Sequence, residues 1–542
     1  MRYLLAAFAL FLFVAAPAAA QLDARSRSAD ALFGKMAADE PGAVVIIARG
    51  GETLYSRAFG SADLEQRQRI TLDTRFHVAS VSKQFTALAV ALLAQDGRID
   101  LDADVRKYLP ELPDFGAKIR VADLLHHTSG LRDQWDLLEL SGTGIESLIT
   151  QEAILGLVRA QRELNFVPQT EYRYSNTGYS LAAEVVARVS GMPFRRFVQK
   201  RIFTPLGMKS SLIYDNAAEL IPGRAQSYGL SRAGVVGLRR LNFSNYGATS
   251  MFTTAADLLK WSREILHPRV FKPALIASLH EPTRLLDGTP SNYGLGMYRS
   301  KVRDHTSIMH GGSDAGFRAL MASHPDQDVS MIILSNGSAD VGRLHEGLVD
   351  VYLNEQRKPD PVVQPTANQL ARLAGYYASG WGAGLELKVE GNDLVRAAGA
   401  PPGRATFRLD GTIEFSAPTM RLKVLGSGSG PALALKDRPI SGPPVRYDRV
   451  EKVAVSRTDL MALAGRYRSP ELDITYELAV ADDALTLSSL QSPNPVPLTS
   501  IGRNWFDLPG ARLTIVRGTD ERPEAIRITT GRVRNLRFER VR

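Results

Sequence analysis

Residues 76–97 read FHVASVSKQFTALAVALLAQDG. After the first turn an apolar residue recurs every three or four positions, which is the spacing of one helix face: Phe85, Leu88 and Leu92. Gly97 is typical of the position just beyond a helix end. The segment therefore predicts a helix that begins at an S-x-x-K pattern and ends near Gly97.

The S-x-x-K pattern places Ser80 and Lys83 on one face of the first helical turn. A serine hydroxyl is a weak nucleophile and needs a neighbouring base, which a deprotonated lysine supplies. The helix N-terminus adds the backbone N–H of Ser80 and a favourable dipole for a developing oxyanion. Alone, the pattern also fits an N-capping serine beside an exposed lysine, so other segments must decide.

Two further polar patterns follow in chain order. Residues 174–176 read YSN, a Y-x-N triplet, and residues 310–313 read HGGS, which begins with H-x-G. Each has a structural explanation of its own, namely a core tyrosine with a turn asparagine, or a surface histidine beside flexible glycines. Three such patterns in this order favour one shared site.

Together the three patterns resemble those of the serine β-lactamase and penicillin-binding family, in particular its class C branch with D-peptidase and esterase relatives. The resemblance covers roughly residues 35–350, and three more segments are similar to family segments: VADLLHHTSGL (121–131), TTAADLLKW (253–261) and YGLGM (293–297). It implies an α/β catalytic domain, in which an antiparallel sheet packs with helices and a helical subdomain is inserted.

The resemblance also implies roles for the first two patterns. Ser80 is the acylated nucleophile, Lys83 and Tyr174 form the proton-transfer pair, and Asn176 binds substrate or Lys83. We expect the neighbouring amine and phenol to lower the pKa of both Lys83 and Tyr174 towards the working pH. Ser80 would then attack a carbonyl carbon and form an acyl-enzyme that water cleaves.

The third pattern corresponds to the strand at the edge of the site. His310 takes the place that lysine holds in β-lactamases. A protonated His310 would bind a substrate carboxylate, whereas a neutral one would position Tyr174 by a hydrogen bond, and the sequence leaves both roles open. Gly311, Gly312 and Ser313 are expected to contact substrate, with the backbone N–H of Ser313 as the second oxyanion donor.

The two ends of this region, residues 21–355, predict its sheet. AVVIIARG (43–50) and ETLYSRAFG (52–60) flank a Gly-Gly turn and form a hairpin pattern. VSMIILSN (329–336) is typical of a buried strand, and residues 340–355 predict a closing helix. Terminal strands around a helical middle indicate an α/β domain with a helical insertion.

Residues 356–368 contain three prolines and predict a linker. The remaining chain is duplicated, because QLARLAGYYAS (369–379) matches DLMALAGRYRS (459–469). Alternating apolar residues and frequent turns predict two all-β antiparallel barrel domains, over residues 369–452 and 453–542.

The first twenty residues, MRYLLAAFALFLFVAAPAAA, predict a secretory signal peptide. Their apolar run is shorter than the roughly 20 residues of a spanning helix, which makes a membrane anchor the less favoured alternative. We therefore expect a periplasmic or secreted protein with no stable membrane span after signal removal.

Composition excludes several other chemistries. The 542 residues include no cysteine, and the formal net charge of +9 is scattered without a basic block, so neither thiol chemistry nor a nucleic-acid partner is expected. The adjacent His126 and His127 form no H-x-H or H-E-x-x-H pattern, which favours helix-end or core histidines, and no metal or cofactor. GGSDA at 311–315 lacks the final glycine of a G-x-S-x-G elbow, which argues against an α/β-hydrolase.

Histidine in the third pattern and the tandem barrels are similar to D-aminopeptidases rather than to efficient β-lactamases. The leading hypothesis is hydrolysis of an amide bond in a small or D-amino-acid-containing peptide, with cell-wall fragments as candidate substrates. A carboxylesterase or weak β-lactamase of the same fold is one alternative, and a non-hydrolytic envelope-binding protein is another. The resemblance also implies that a loop of the last barrel helps to close the site, without identifying its residues.

Overall fold

The computed structural model describes most of the chain, namely residues 24–34, 36–144, 146–231, 234–354, 361–382, 384–397, 403–416, 419–426, 430–437 and 444–541. The predicted signal peptide, residues 1–20, lies outside the described residues. In the described chain no helix is both long and apolar enough to cross a membrane.

The first region contains short and long strands mixed with helices. Its strands are β1 (Ala43–Arg49), β2 (Glu52–Phe59), β3 (Ser61–Asp63), β4 (Gln68–Arg69), β5 (Phe76–His77), β6 (Ile149–Thr150), β7 (Leu212–Ile213), β8 (Tyr228–Leu230), β9 (Val236–Leu238), β10 (Phe243–Ser244), β11 (Met251–Thr253), β12 (Tyr298–Val302), β13 (His305–Asp314), β14 (Phe317–His324) and β15 (Val329–Ser335). Its helices are α1 (24–32), α2 (Lys83–Gln95), α3 (Val121–Leu125), α4 (Gln134–Leu140), α5 (Gln151–Ala160), α6 (Asn176–Ser190), α7 (Phe194–Val198), α8 (Thr204–Leu206), α9 (Ala255–Leu266), α10 (Pro273–Leu279) and α11 (Val341–Tyr352). Single 3-10 turns cover Ala79–Ser82, Val105–Lys107 and Pro325–Gln327, and a π-helical turn covers Gln199–Phe203.

A six-stranded antiparallel sheet forms the centre of this region, in the order β12-β13-β14-β15-β1-β2. The predicted hairpin is confirmed as β1 and β2, and the predicted buried strand as β15, which pairs with β1 from Ala43 opposite Ser335. The predicted closing helix is α11, and the Asp340 side chain caps its first turn. Most of the helices lie between β2 and β12 in the chain, which confirms the helical insertion.

The helix predicted at the S-x-x-K pattern begins differently from the expectation. Ser80 lies in the 3-10 turn, and α2 starts only at Lys83. Ala79 has a positive φ of 47°, and the Ser82 hydroxyl donates to its carbonyl at 2.6 Å, which tightens the turn. The helix is also buried on all sides over Lys83–Leu93 rather than along one face, because other helices surround it.

Two all-β units follow, as predicted. The first contains α12 (Ala367–Leu373) and the strands β16 (Val362–Val363), β17 (Gly375–Ala378), β18 (Gly384–Glu390), β19 (Asp393–Arg396), β20 (Gly403–Arg408), β21 (Ile413–Ser416), β22 (Thr419–Leu425), β23 (Ala434–Asp437) and β24 (Val445–Val450). The second contains α13 (Arg457–Leu463) and the strands β25 (Gly465–Ser469), β26 (Ile474–Ala481), β27 (Ala484–Ser489), β28 (Val496–Pro497), β29 (Thr499–Gly502), β30 (Trp505–Leu508), β31 (Ala511–Arg517), β32 (Pro523–Thr530) and β33 (Leu536–Arg540).

Both units are antiparallel barrels. In the first, β17 to β24 form a ring that closes where β20 pairs with β21. In the second, the order runs β28-β27-β26-β25-β33-β32-β31-β30-β29, and within the described residues only the pairing of β28 with β29 is missing. The predicted linker is described only from residue 361, and two of its residues, Val362 and Val363, pair with β20 as β16.

The duplication is visible in the cores of the barrels. Tyr377 and Tyr467 are fully buried, and each hydroxyl donates to the last carbonyl of the short helix before it, at 2.9 and 2.8 Å. Arg449 and Arg540 lie over these rings at 5.5 and 5.8 Å from the ring centres. The same side chains thus join helix and barrel in both copies.

The second barrel packs directly against the first region. Leu137 and Leu140 of α4 belong to the hydrophobic core of the barrel. Beside them, buried Arg132 forms a 2.6 Å ion pair with buried Glu471. The segment that enters α4 is therefore shared between the two units.

Candidate active site

Lys83 has three hydrogen-bond neighbours at the start of α2. Its Nζ lies 3.0 Å from Ser80 Oγ, 2.7 Å from Asn176 Oδ1 and 2.7 Å from the carbonyl oxygen of Ala248. The last two neighbours can only accept hydrogen bonds, so they take both N–H groups of a neutral amine. The amine lone pair then faces the Ser80 hydroxyl, which is the geometry of a general base.

Burial lowers the pKa of Lys83 to about 7. The carboxylates of Asp314 and Asp133 act in the opposite direction, whereas Arg532 lowers the pKa further. A large fraction of Lys83 is therefore neutral near neutral pH. This agrees with the expectation that the pKa of Lys83 is lowered towards the working pH.

Tyr174 lies beside Ser80, close enough for Ser80 to act on its pKa, and its ring centre lies 4.9 Å from Lys83 Nζ. The expectation for its pKa was wrong, since burial and the nearby Tyr298 raise the pKa of Tyr174 well above its usual value. A phenol that loses solvent loses more stabilisation of its charged form than the neighbouring amine restores. Tyr174 is therefore a neutral proton donor in the resting site.

Asn176 is the first residue of α6 and connects Lys83 to a buried carboxylate. Its backbone N and its Nδ2 donate to Asp133 Oδ2 at 2.6 and 2.8 Å. Because Nδ2 faces Asp133, Oδ1 must face Lys83. Asp133 in turn caps α4 through the backbone N–H of Trp135.

The third pattern lies at the end of β13, next to the turn that carries Ser80. β12 pairs with β13 only as far as Met309, so in the described sheet residues 310–314 pair with β14 alone. A Cβ on Gly312 would lie 2.2 Å from the carbonyl oxygen of Val78. Glycine at this position lets the strand backbone contact the nucleophile turn.

His310 is buried on this strand. Burial, and then the charge of Lys83, lower the pKa of His310 to about 3, so the ring is neutral. Its Nδ1–H donates to the Gly311 carbonyl at 2.6 Å, and its Nε2 accepts from the Tyr293 hydroxyl at 3.2 Å. The cationic role for His310 is therefore wrong, and its hydroxyl partner is Tyr293 rather than Tyr174.

The other two residues of this pattern are on the same strand. Gly311 pairs opposite Leu320, and Ser313 is exposed opposite Arg318. This placement brings the Ser313 backbone to the same strand end as Gly312. The roles of Gly311 and Ser313 in substrate and oxyanion binding stay predictions.

His127 is a core histidine, in agreement with one of the two expected positions, and it contacts the site. It is 1% exposed, and its ring centre lies 4.2 Å from that of Tyr174. The backbone N–H of Ser175 donates to His127 Nδ1 at 3.1 Å, and burial lowers the pKa of His127 well below its usual value. A neutral aromatic side chain thus supports the Tyr174 ring.

The loop that connects β32 and β33 of the second barrel enters the site. This loop, Gly531–Asn535, places the Arg532 guanidinium carbon 5.2 Å from the centre of the Tyr174 ring. Arg532 Nη1 lies 3.7 Å from Asp133 Oδ1. The loop that the resemblance implied therefore has a defined residue at the site.

A family model described as Beta-lactamase matches residues 29–353 of the chain. The chain belongs to the β-lactamase family. A curated relative, the D-aminopeptidase of Gluconobacter oxydans (strain 621H), is 28% identical over 455 residues, which cover 81% of this chain and 82% of the relative.

Solved structures share the fold of this β-lactamase-family chain. The octameric penicillin-binding protein homologue from Pyrococcus abyssi has a TM-score of 0.55 at 19% identity, covering 82% of this chain and 94% of the other. The D-amino acid amidase from Ochrobactrum anthropi SV3 has a TM-score of 0.51 at 24% identity, covering 61% of this chain and all of the other, 100%. The predicted catalytic fold is confirmed, and the family chain is a serine hydrolase.

The structure brings Ser80, Lys83 and Asn176 into one hydrogen-bonded group, with Tyr174 and the 310–313 strand end beside it. Sequence analysis missed Asp133 and Arg532. Asp133 stands before a helical segment and carries an N-cap signal, but that signal does not reveal its contact with Asn176. Nothing in the sequence singles out Arg532, since it comes from a different domain.

Proposed function

We propose that the chain is an exported serine peptidase or amidase that cleaves an amide bond in small, D-amino-acid-containing peptides through an acyl-enzyme on Ser80. The main support is the Lys83 amine, whose two N–H groups are taken by carbonyl oxygens while its lone pair faces Ser80. With its pKa lowered by burial to about 7, this amine is a suitable general base at neutral pH.

The reaction begins when Ser80 Oγ attacks the amide carbonyl carbon. A C–O bond forms, the serine proton moves to Lys83, and the carbonyl oxygen becomes an oxyanion. That oxyanion can accept hydrogen bonds from the backbone N–H of Ser80 and from backbone N–H groups at the end of β13. The tetrahedral intermediate then collapses as its C–N bond breaks.

Tyr174 suits the role of acid for the leaving amine. Its raised pKa keeps the phenol protonated, so it donates a proton to the leaving nitrogen while the Lys83 ammonium reprotonates the phenolate. Water then attacks the acyl-enzyme, again giving its proton to Lys83. The acyl C–O bond to Ser80 then breaks, the Lys83 ammonium returns its proton to Ser80 Oγ, and the free acid leaves.

The proposed substrate class is supported by the relatives of the chain and by the shape of the site. The named relatives include D-aminopeptidases and a D-amino acid amidase. The 531–535 loop occupies space over Tyr174, which favours small substrates. Export draws on the apolar pattern of residues 1–20, and it would bring the enzyme into contact with cell-wall peptides.

The test compares turnover of D-alanine amide, p-nitrophenyl butyrate and nitrocefin by the purified protein, with Ser80→Ala as the control. We expect amide turnover that the control lacks, together with stoichiometric labelling of Ser80 by a fluorescent penicillin. Ester turnover without amide turnover would replace the peptidase by a carboxylesterase. Absence of any Ser80 labelling or turnover would favour a binding protein.

Export has its own test. The protein expressed with its native N-terminus is expected in the periplasmic fraction, with a mature N-terminus at Gln21 by mass spectrometry. A full-length protein retained in the cytoplasm contradicts the export proposal and leaves the hydrolase chemistry untouched.

A further inference from the structure

The backbone of Arg532 is held in place by the catalytic region. Its carbonyl oxygen accepts from the backbone N–H of Asp133 at 3.3 Å and from Asn165 Nδ2 at 2.8 Å. Its N–H donates to Asp136 Oδ2 at 2.9 Å. The next residue, Val533, is fully buried in the core of the barrel. These contacts are independent of the Arg532 side chain, so they position it in advance and survive its substitution.

The guanidinium itself has unused hydrogen-bonding capacity. It has five N–H donors, and none of them hydrogen-bonds another residue in the described part of the chain; its closest recorded charge contact is Asp133 Oδ1 at 3.7 Å. The side chain keeps 41% of its surface exposed. An arginine that is fixed at its backbone, partly exposed and without a side-chain hydrogen bond in the described residues is able to bind an external anion.

Asp133 forms an ion pair with this cation at 3.7 Å, but no hydrogen bond joins the two side chains. Its Oδ2 already accepts two hydrogen bonds from Asn176, and its Oδ1 caps α4. Burial acts to lower the pKa of Arg532, but Asp133 and Asp136 outweigh it and hold the pKa above its usual value. Arg532 is therefore a permanent cation, whereas His310 is neutral.

The position of Arg532 relates it to the leaving side of the proposed reaction. It lies over the ring of Tyr174, the residue that protonates the leaving nitrogen in the proposed reaction. An α-carboxylate is separated from that nitrogen by a single carbon. A C-terminal residue that leaves as a free amino acid thus carries its carboxylate to this side of the site.

We propose that Arg532 binds the α-carboxylate of the leaving residue, so that the enzyme prefers substrates whose scissile bond precedes a free C-terminal residue. Arg532 is then a specificity-determining residue supplied by the second barrel. The inference rests on the proposed function in that it takes Ser80 as the nucleophile and Tyr174 as the acid on the leaving side.

The test uses two substrates with the same scissile bond, D-alanyl-D-alanine and D-alanyl-D-alaninamide. We expect the wild-type kcat/KM to favour the carboxylate form by about 10- to 100-fold, which is the effect of one charged hydrogen-bonded contact. Arg532→Gln should lose that preference, because its rate should fall more on the carboxylate form than on the amide form, and Arg532→Lys should restore part of it. Arg537→Gln removes a comparable charge from β33, away from the site, and should behave as wild type.

If Arg532→Gln lowers kcat/KM equally on both substrates, the arginine acts only on Lys83 and Tyr174. If it lowers kcat/KM on neither, the arginine has no role in the reaction. Either result overturns the inference. If neither peptide is cleaved, the peptidase proposal fails. The Arg532 inference is then tested by the rates at which benzylpenicillin and its methyl ester acylate Ser80. The carboxylate of benzylpenicillin is also separated from the leaving nitrogen by one carbon. The Arg532→Gln change should then slow acylation by the free acid more than acylation by the ester. A Ser80 that reacts with neither compound overturns both proposals.

Discussion

At the scale of single residues, burial affects activity most directly through the pKa of Lys83. Its pKa is lowered to about 7, and in the proposed mechanism only the neutral amine accepts the Ser80 proton. We expect kcat/KM to fall about tenfold per unit as the pH drops below 7 and to level off above it. His310, with a pKa of about 3, should add no step in this range. A pH–rate profile on D-alanine amide measures this, and a profile that stays flat down to about pH 5 contradicts a lysine base.

Asp133 acts on the same base from the other side of Asn176. Its charge raises the pKa of Lys83, and its carboxylate orients the Asn176 amide. Asp133→Asn keeps a helix cap but removes the charge, so the acid limb should move to lower pH and kcat should fall about tenfold. The pH–rate profile of the variant checks both effects.

Asp104→Asn is the matched control for this change. Asp104 caps a remote 3-10 turn through the backbone N–H of Arg106, so its variant should keep the wild-type limb and rate. An unchanged limb in Asp133→Asn would show that the carboxylate has no electrostatic effect on Lys83.

At the scale of elements, the backbone of β13 packs directly against the turn that carries Ser80. In Gly312→Ala the new methyl would lie 2.2 Å from the Val78 carbonyl oxygen, so strand and turn must separate. Overpacking of this kind costs about 1–3 kcal/mol of stability. We expect a lower unfolding temperature and penicillin labelling of Ser80 slowed by at least about tenfold.

Gly311→Ala is the steric control, because its Cβ would meet only the Ala319 carbonyl oxygen at 3.7 Å. Its unfolding temperature should match that of the wild type. Equal destabilisation by the two substitutions would indicate a general effect of alanine on β13 rather than the contact with Val78.

At the scale of the whole molecule, one tryptophan joins all three domains. The indole of Trp381, from the first barrel, lies 3.4 Å from the guanidinium carbon of Arg173 and 3.8 Å from that of Arg534. Arg173 precedes Tyr174, and Arg534 follows Arg532 by two residues. Burial and the charge of Arg534 lower the pKa of Arg173 to about 9, while Glu171 forms an ion pair with Arg534.

Removal of this ring should loosen the 531–535 loop. Trp381→Ala leaves two like charges without the aromatic surface between them, and each cation–π contact is worth about 0.5–2 kcal/mol. We expect faster proteolysis of the loop and a several-fold lower kcat/KM on D-alanyl-D-alanine. Trp505→Ala, at a 53% exposed site on the second barrel, should change neither. Wild-type behaviour of Trp381→Ala would mean that the barrels hold the loop without the first barrel's help.

Periodicity and motif order were sufficient for much of the architecture. The β1–β2 hairpin, β15, the existence of a helix after Ser80 and the duplicated barrels follow from local patterns, because each element satisfies its own backbone and presents its own apolar face. The 3-10 start of α2 did not follow, since the positive φ of Ala79 occurs where the turn contacts β13.

The sequence by itself determined the candidate residues: the serine, lysine, tyrosine and asparagine patterns predicted a nucleophile, a proton-transfer pair and a residue that binds substrate or the lysine. Only the tertiary structure decided their charge states and their neighbours. Burial makes Tyr174 a phenol and His310 a neutral ring, and desolvation depends on everything packed around a group rather than on its position in the chain. Arg532 reaches Tyr174 from a point more than 350 residues away in the chain, and only the packing of the second barrel against α4 brings it there.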